Sequence, residues 1–265
     1  MAEVLNFEHN GITVNASESP EAMGGLGDNV IGLVGTAPKA DPLIPRNAPF
    51  RINSFTTHAL LDPTGSEEGT LYHAVYQILK VVKVPVYVVI VEAGATPADT
   101  VNAVIGGVEP ATGRKLGLAA LGSVPEDLTI IGAPGFTGTK AVASEFASFG
   151  KRIKARVVLD GKDASVADQV LYSQELGGAD LGFDRCLVVH NMPAVYSKAA
   201  KKNVFLSPSS LAIAALAKVK QWESPGNQVT YAEDVSRVVE YNILDTSTEG
   251  DLLNRYGISY YARTV

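Results

Sequence analysis

The segment Gly132-Ala133-Pro134-Gly135-Phe136-Thr137-Gly138 follows a predicted strand and opens a predicted helix, a place where backbone amides can cradle a phosphate. Its spacing argues against that use. A dinucleotide turn needs G-x-G-x-x-G, and here the pattern is G-x-x-G-x-x-G. Pro134 removes an amide donor where the phosphate would sit. A phosphate loop ends in Gly-Lys-Ser/Thr, whereas the order here is Gly138-Thr139-Lys140. The segment therefore reads as a plain strand-to-helix turn. The alternative is a soluble α/β enzyme that binds a small ligand near Gly132–Gly138.

Other reactive residue types form no better constellation. No serine stands in G-x-S-x-G. The histidines, His9, His58, His73 and His190, are far apart in sequence, and none lies in H-E-x-x-H. His190 ends a predicted strand, a usual place for catalytic groups in open sheets, and is read as structural. The acidic pairs Glu67-Glu68 and Glu126-Asp127 fall in loops or helix starts, where they favour the helix dipole. Asp160-Gly161-Lys162-Asp163 lacks the alternating acids of a calcium loop. Cys186 is the only cysteine, which rules out an intrachain disulfide and a cysteine metal cluster, and its setting, Cys186-Leu187-Val188-Val189, suits a small buried hydrophobe. The expectation is a protein with no catalytic residue, no metal and no cofactor.

The elements that would position such residues alternate strand and helix. Val30 to Val34, Phe50 to Ile52, Val84 to Val91, Leu128 to Ile131, Val157 to Leu159 and Cys186 to Val189 read as strands, and the unbroken apolar runs among them suit a sheet covered on both faces. Pro85 fits the start of its strand better than the middle. Helices are predicted where Leu71, Val75, Ile78, Leu79 and Val82 recur, with Thr70 as a cap, and where Val142, Phe146, Phe149 and Ile153 form one stripe. Leu206 to Val219 is apolar all round, which implies heavy burial. The fold class is α/β, with a mainly parallel, doubly wound sheet flanked by helices.

The bulk numbers bound the function. In 265 residues, 46% are hydrophobic and 19% charged, a balance that excludes a disordered chain. The net charge of -6 disfavours a direct nucleic-acid binder. The small basic cluster Lys198, Lys201 and Lys202 reads as a solvated patch. The longest apolar stretch, Val84 to Val91, is far too short to insert in a membrane, and the N-terminus has no pattern of a secretory signal, so the chain is expected to fold in a cytoplasm.

The two ends differ from the middle. In Gly11-Ile12-Thr13-Val14-Asn15-Ala16-Ser17, Ile12, Val14 and Ala16 share one strand face and Thr13, Asn15 and Ser17 the other. Pro20, Gly24, Gly25 and Gly27 follow, so residues 1–28 read as an extended arm and linker, and residues 29–265 as the α/β core domain. At about 3.3 Å per residue such an arm spans on the order of 90 Å. Pattern alone leaves open whether this strand leaves its own domain or folds back as an edge. Near the other end, Asp251 to Tyr256 reads as a short helix stopped by Gly257, and Ile258-Ser259-Tyr260-Tyr261-Ala262-Arg263 as a strand in need of a partner.

Several stretches resemble the contractile phage tail sheath family in its compact myophage form. They are His9-Asn10-Gly11-Ile12-Thr13-Val14-Asn15, Asn29 to Ala37, the glycine turn Ile105 to Arg114, Ile131 to Gly135 and Leu252-Leu253-Asn254-Arg255-Tyr256-Gly257-Ile258, in that order. The resemblance implies a structural subunit of a virion tail, assembled in the host cytoplasm. Its partners would be other copies of itself in stacked hexameric rings, an inner tail tube protein, and baseplate and tail terminator proteins. Contraction would drive the tube through a host envelope for genome delivery, and a headless injection device would use the same protein. The resemblance also implies that Gly11 to Ser17 adds a strand to a neighbouring subunit, by backbone hydrogen bonds. Sheath proteins usually continue beyond this point into a tube-facing C-terminal domain, so Ile258 to Arg263 is expected to be the junction strand to a domain lacking here.

Overall fold

A computed structural model of the chain describes residues 29–162, 164–177, 185–220, 232–242, 244–245 and 247–262. In chain order the elements are β1 (Ile31–Thr36), β2 (Pro49–Ile52), α1 (Phe55–His58), α2 (Leu71–Val81), β3 (Val86–Val91) and α3 (Pro97–Ile105). Then come β4 (Gly107–Val108), β5 (Lys115–Leu116), α4 (Leu118–Leu121), β6 (Ile130–Gly132), α5 (Lys140–Ile153), β7 (Arg156–Asp160) and α6 (Val166–Glu175). The last are β8 (Cys186–Val189), β9 (Pro193–Ser197), β10 (Lys202–Phe205), α7 (Pro208–Lys218), β11 (Asp234–Val235), α8 (Glu249–Arg255) and β12 (Ile258–Ser259).

The main sheet has the order β12-β8-β7-β6-β1-β3-β2. Every neighbouring pair is parallel except β2 with β3. The strands alternate between two buried sides, as pleating requires. Val86, Val88 and Ile90 join the cluster containing α2 and α7, while Tyr87, Val89 and Val91 join the cluster containing α3, α4, α5, α6 and α8. This is the doubly wound α/β sheet expected from the unbroken apolar strands. Chain order reverses beside β1, whose neighbours are β3 and β6, so the crevice at the carboxyl ends of β1 and β6 is the usual ligand position of such folds.

Details of packing follow the residue types. Pro208 to Ala217 are all buried, as the all-round apolar content of α7 requires. Gly257 stops α8 with φ at 71°, a left-handed conformation that glycine adopts without strain. Thr70 precedes α2 but does not cap it with its side chain. Its Oγ1 instead accepts from the Thr36 amide at 3.2 Å, which ties the end of β1 to the start of α2. Gly150 sits inside α5 because a Cβ there would lie 2.3 Å from Val157 Cγ2 of β7. Replacing a helical glycine by alanine ordinarily gains about 1 kcal/mol. Here the clash dominates, and Gly150→Ala is expected to lose about 1–3 kcal/mol, read as a lower urea midpoint at unchanged slope.

A second, antiparallel sheet has the order β10-β9-β11 and sits beyond β8 in sequence. Pattern reading missed it. Its strands are short, and Lys202-Asn203-Val204-Phe205 carries no clean alternation. Val195, Val204, Leu206 and Leu211 pack with Tyr261 into a small core that fastens it to α7.

Candidate functional site

The protein's own side chains take up part of the crevice at the reversal point. Gly132 ends β6, and the turn that follows brings Gly135 and Thr137 toward Asp160 at the end of β7. Asp160 Oδ2 accepts from the Gly135 amide and from the Thr137 hydroxyl, each at 2.8 Å. Asp160 Oδ1 accepts from the Ser209 amide at 2.8 Å, at the start of α7. Thr137 Oγ1 accepts in turn from the Asp160 amide at 2.7 Å, and Tyr172 donates its hydroxyl to the Thr137 carbonyl at 2.5 Å. Burial pushes the Asp160 carboxyl above the usual carboxylate range, and the donors around it oppose that shift. Of the turn's amides, that of Gly135 is thus spent on an internal carboxylate and those of Phe136 and Thr137 on the Ala133 carbonyl, and Thr70 borders the β1 side: its Cγ2 would lie 3.1 Å from a Cβ at Gly135. The strand-to-helix turn predicted for Gly132 to Gly138 is what the structure contains.

Beside this turn lies a cavity of about 400 Å³ between the approach to α2 and the small sheet, lined by Glu67, Thr70, His73, Ser197, Phe205 and Ser210 among others. Ser197, Glu67 and His73 look at first like a hydrolytic set. Their order is wrong for it. Ser197 Oγ donates to Glu67 Oε2 at 2.5 Å, and His73 Nε2 lies 3.6 Å from that same oxygen. The carboxylate stands between hydroxyl and imidazole, so the imidazole does not face the hydroxyl it would have to deprotonate. Glu67 also accepts from the Lys198 amide at 3.2 Å. Its role is to pin the β9–β10 turn to the core, not to complement a helix dipole. Glu126 likewise departs from the dipole reading: it accepts from the Tyr87 hydroxyl at 2.8 Å and pairs with Arg51 at 3.5 Å.

His58, His73 and His190 do not converge on one site, and His9 lies outside the described residues. His58 is buried against Tyr72 and Tyr76, with Nε2 2.8 Å from the Tyr72 carbonyl, which fixes the proton on that nitrogen. His190 lies buried at the end of β8. Among the described residues no group of three or more His, Cys, Asp or Glu could hold a metal ion. Cys186 is half-buried rather than fully buried, because β8 is near the sheet edge. Burial lowers the pKa of His58 and of His73, in the latter against the pull of Glu67. A histidine whose folded pKa lies below its unfolded value of about 6.5 contributes stability above that value and loses it as pH falls through the folded pKa. Unfolding free energy is therefore expected to decline as the pH drops below about 6.5. His58→Gln should flatten that decline in urea titrations across the range.

The predicted inter-subunit strand Gly11 to Ser17, and the whole arm 1–28, lie outside the described residues. Of the expected terminal strand, only Ile258–Ser259 is a strand, and it is not unpaired: Ile258 aligns with Val188 and Ser259 with Val189 at the sheet edge. Tyr260 to Ala262 leave the strand, and Arg263 lies outside the described residues. Asn191 holds this exit. Its Oδ1 accepts from the Tyr261 amide at 2.9 Å and its Nδ2 donates to the Tyr261 carbonyl at 2.9 Å. Among the described residues, no strand pairs with the outer side of β12. Among the described residues no helix is long and apolar enough to cross a membrane.

Comparison with known proteins finds the same chain plan elsewhere. No family model matches the sequence. A protein of Pseudomonas aeruginosa (strain UCBPP-PA14), assigned as a prophage major tail sheath protein, is 28% identical over 273 aligned positions, covering 98% of this chain and 67% of that protein. The anti-feeding prophage helical sheath in its contracted state has a similar fold, with a TM-score of 0.59 and 20% identity, over 98% of this chain and 66% of that one. The PVC sheath complex of an extracellular contractile injection system, also contracted, gives 0.60 and 14%, over 98% and 64%. The chain thus spans about two thirds of the length of the proteins it matches.

Proposed function

We propose that this chain, kin to the contractile tail sheath proteins along its length, is the core of a sheath subunit that works by assembling with copies of itself. The observation that carries the reading is the match to sheath proteins over 98% of the chain, in sequence and in fold together. The bonding at that position agrees with it: where an open α/β sheet would hold a substrate, the Gly135 and Ser209 amides are spent on Asp160 and the Thr36 amide on Thr70. The chain is structural, and its relatives are components of phage or phage-like particles.

In this reading residues 1–28 are an arm, and residues 29–265 the domain that carries it. Gly11 to Ser17 pairs with a strand of the next subunit, and Ile258 to Arg263 leads toward the part of the subunit that lies against an inner tail tube. Stacked hexameric rings then enclose the tube, between a baseplate and a terminator. Contraction drives the tube through the host envelope. Each exchanged backbone bond is worth only about 0.5–1.5 kcal/mol net, so strength comes from repetition over many subunits.

Electron microscopy of the protein at the full length of its relatives tests this. Tubes or contracted sheath-like cylinders are expected. Discrete particles alone, at every concentration, would contradict it.

A further inference from the structure

Two surface patches of opposite charge, each built around exposed apolar side chains, lie on opposite faces of the central sheet. The first is on the β9–β10 hairpin. Tyr196 and Phe205 are 58% and 51% exposed, and the register Tyr196 with Asn203 and Ala194 with Phe205 puts both on one face. Lys198, Lys201 and Lys202 surround the turn and are all exposed. The acids Glu233 and Asp234 lie across β9, on the β11 side.

The second patch is on α8 and the loop before it. Tyr241, Leu244 and Leu252 are 53%, 90% and 39% exposed. Glu240, Asp245, Glu249 and Asp251 flank them, with Arg255 as the basic residue of the helix. The loop is held to the helix by the Gly250 amide donating to the Glu240 carbonyl at 2.9 Å, and by the Glu240 amide donating to Glu249 Oε2 at 3.2 Å.

The placement of the two decides what they can do. Through Leu253 and Tyr256, α8 belongs to the core shared with α5 and α6. The lysine-bearing turn is tied to Glu67, in the approach to α2, on the other face. An isolated exposed leucine is ordinary. Here lysines predominate around one apolar group, with Glu233 and Asp234 across β9, and carboxylates predominate around the other, with Arg255 on the helix. Joining like patches about a two-fold axis would set lysines against lysines or carboxylates against carboxylates. Joining unlike patches is a head-to-tail contact, which closes as a ring or propagates as a helix.

We propose that these patches meet between neighbouring copies of the chain, Tyr196 and Phe205 of one subunit packing against Tyr241, Leu244 and Leu252 of the next. The lysines then face the carboxylates. The inference rests on the sheath reading for the identity of the partner, a second copy. It gives a use to the lysine cluster that pattern alone assigns to solvent.

Charge reversal in pairs tests it. Sedimentation equilibrium up to high protein concentration would compare the unaltered chain with Lys198→Glu/Lys201→Glu/Lys202→Glu, with Glu240→Lys/Asp245→Lys/Glu249→Lys, and with an equimolar mixture of the two variants. Each variant alone should associate more weakly by about tenfold or more, and the mixture should recover association, because unlike reversed patches attract again. Leu244→Ser, at a side chain too exposed to affect folding, should weaken association in the same way. Association that is insensitive to all three changes would overturn this contact while leaving the sheath reading in place. A chain that stays monomeric at every concentration would overturn the contact too. Tubes formed at the relatives' full length under that outcome would show that the sheath reading survives without it.

Discussion

Asp160→Ala is expected to cost about 3–5 kcal/mol of folding stability. The carboxylate holds the Gly135 amide, the Thr137 hydroxyl and the Ser209 amide, and these come from the β6–α5 turn and the start of α7. Removing it leaves the buried Thr137 hydroxyl and Ser209 amide without that acceptor, and each such group costs about 1–3 kcal/mol. Asp160→Asn should lose less, because one amide oxygen still accepts, although its NH2 then meets a donor. Urea unfolding would measure both, with the midpoint falling at an unchanged slope. If Asp160→Ala were as stable as the parent, the clasp would be incidental to the fold.

Removing residues 1–28 is expected to have the opposite signature: no change in the melting temperature of the core, and complete loss of tubes from the protein at its relatives' full length. The core begins at Asn29, whose Nδ2 donates to the Ala217 carbonyl at 2.9 Å, so the described domain is closed at that point by its own contacts. Assembly, by contrast, is proposed to depend on the arm through strand pairing. Val14→Pro is the finer version of the same experiment. It removes one amide donor from the middle of the proposed strand and fixes φ, so tubes should be lost without shortening the chain. Melting curves and negative-stain images of the same samples would separate the two effects. Tubes that form normally from the shortened protein would remove the arm from the mechanism.

The layered fold was legible in the sequence because its strands are unusually plain. Val86 to Val91 is buried on both faces, so its apolar run has no gaps, and β1 and β7 read the same way. The stripe Val142, Phe146 and Phe149 gave α5 for the same reason, since one face of it is buried. Helix α3 was missed although Thr96 and Asp99 form a reciprocal capping box before it. Its apolar face is narrow, with Val104 its buried residue, so periodicity was weak where capping was strong. The small sheet was missed because its order is set by tertiary contacts: Glu67 holding the β9–β10 turn, and Tyr261 donating its hydroxyl to the Pro208 carbonyl at 2.5 Å.

The same limit explains Asp160. Asp160-Gly161-Lys162-Asp163 reads locally as an ordinary turn after a strand. Its importance lies in donors 23 to 49 residues away, which no local pattern reveals. Asp160 is findable only as an acid at the carboxyl end of a central buried strand, facing a glycine turn. The terminal strand shows a different limit. Ile258–Ser259 has the right composition, but the pairing that satisfies it comes from β8 of its own sheet, and sequence could not choose that edge over one in another molecule.

The first residues of one subunit are proposed to complete a sheet in another. Cryo-electron microscopy of assembled tubes reads this directly. The expected map shows Gly11 to Ser17 crossing from the domain that begins at Asn29 and lying, hydrogen-bonded, beside a strand of the adjacent subunit. A map in which that segment stays on its own domain, with no chain passing between subunits, would contradict the account.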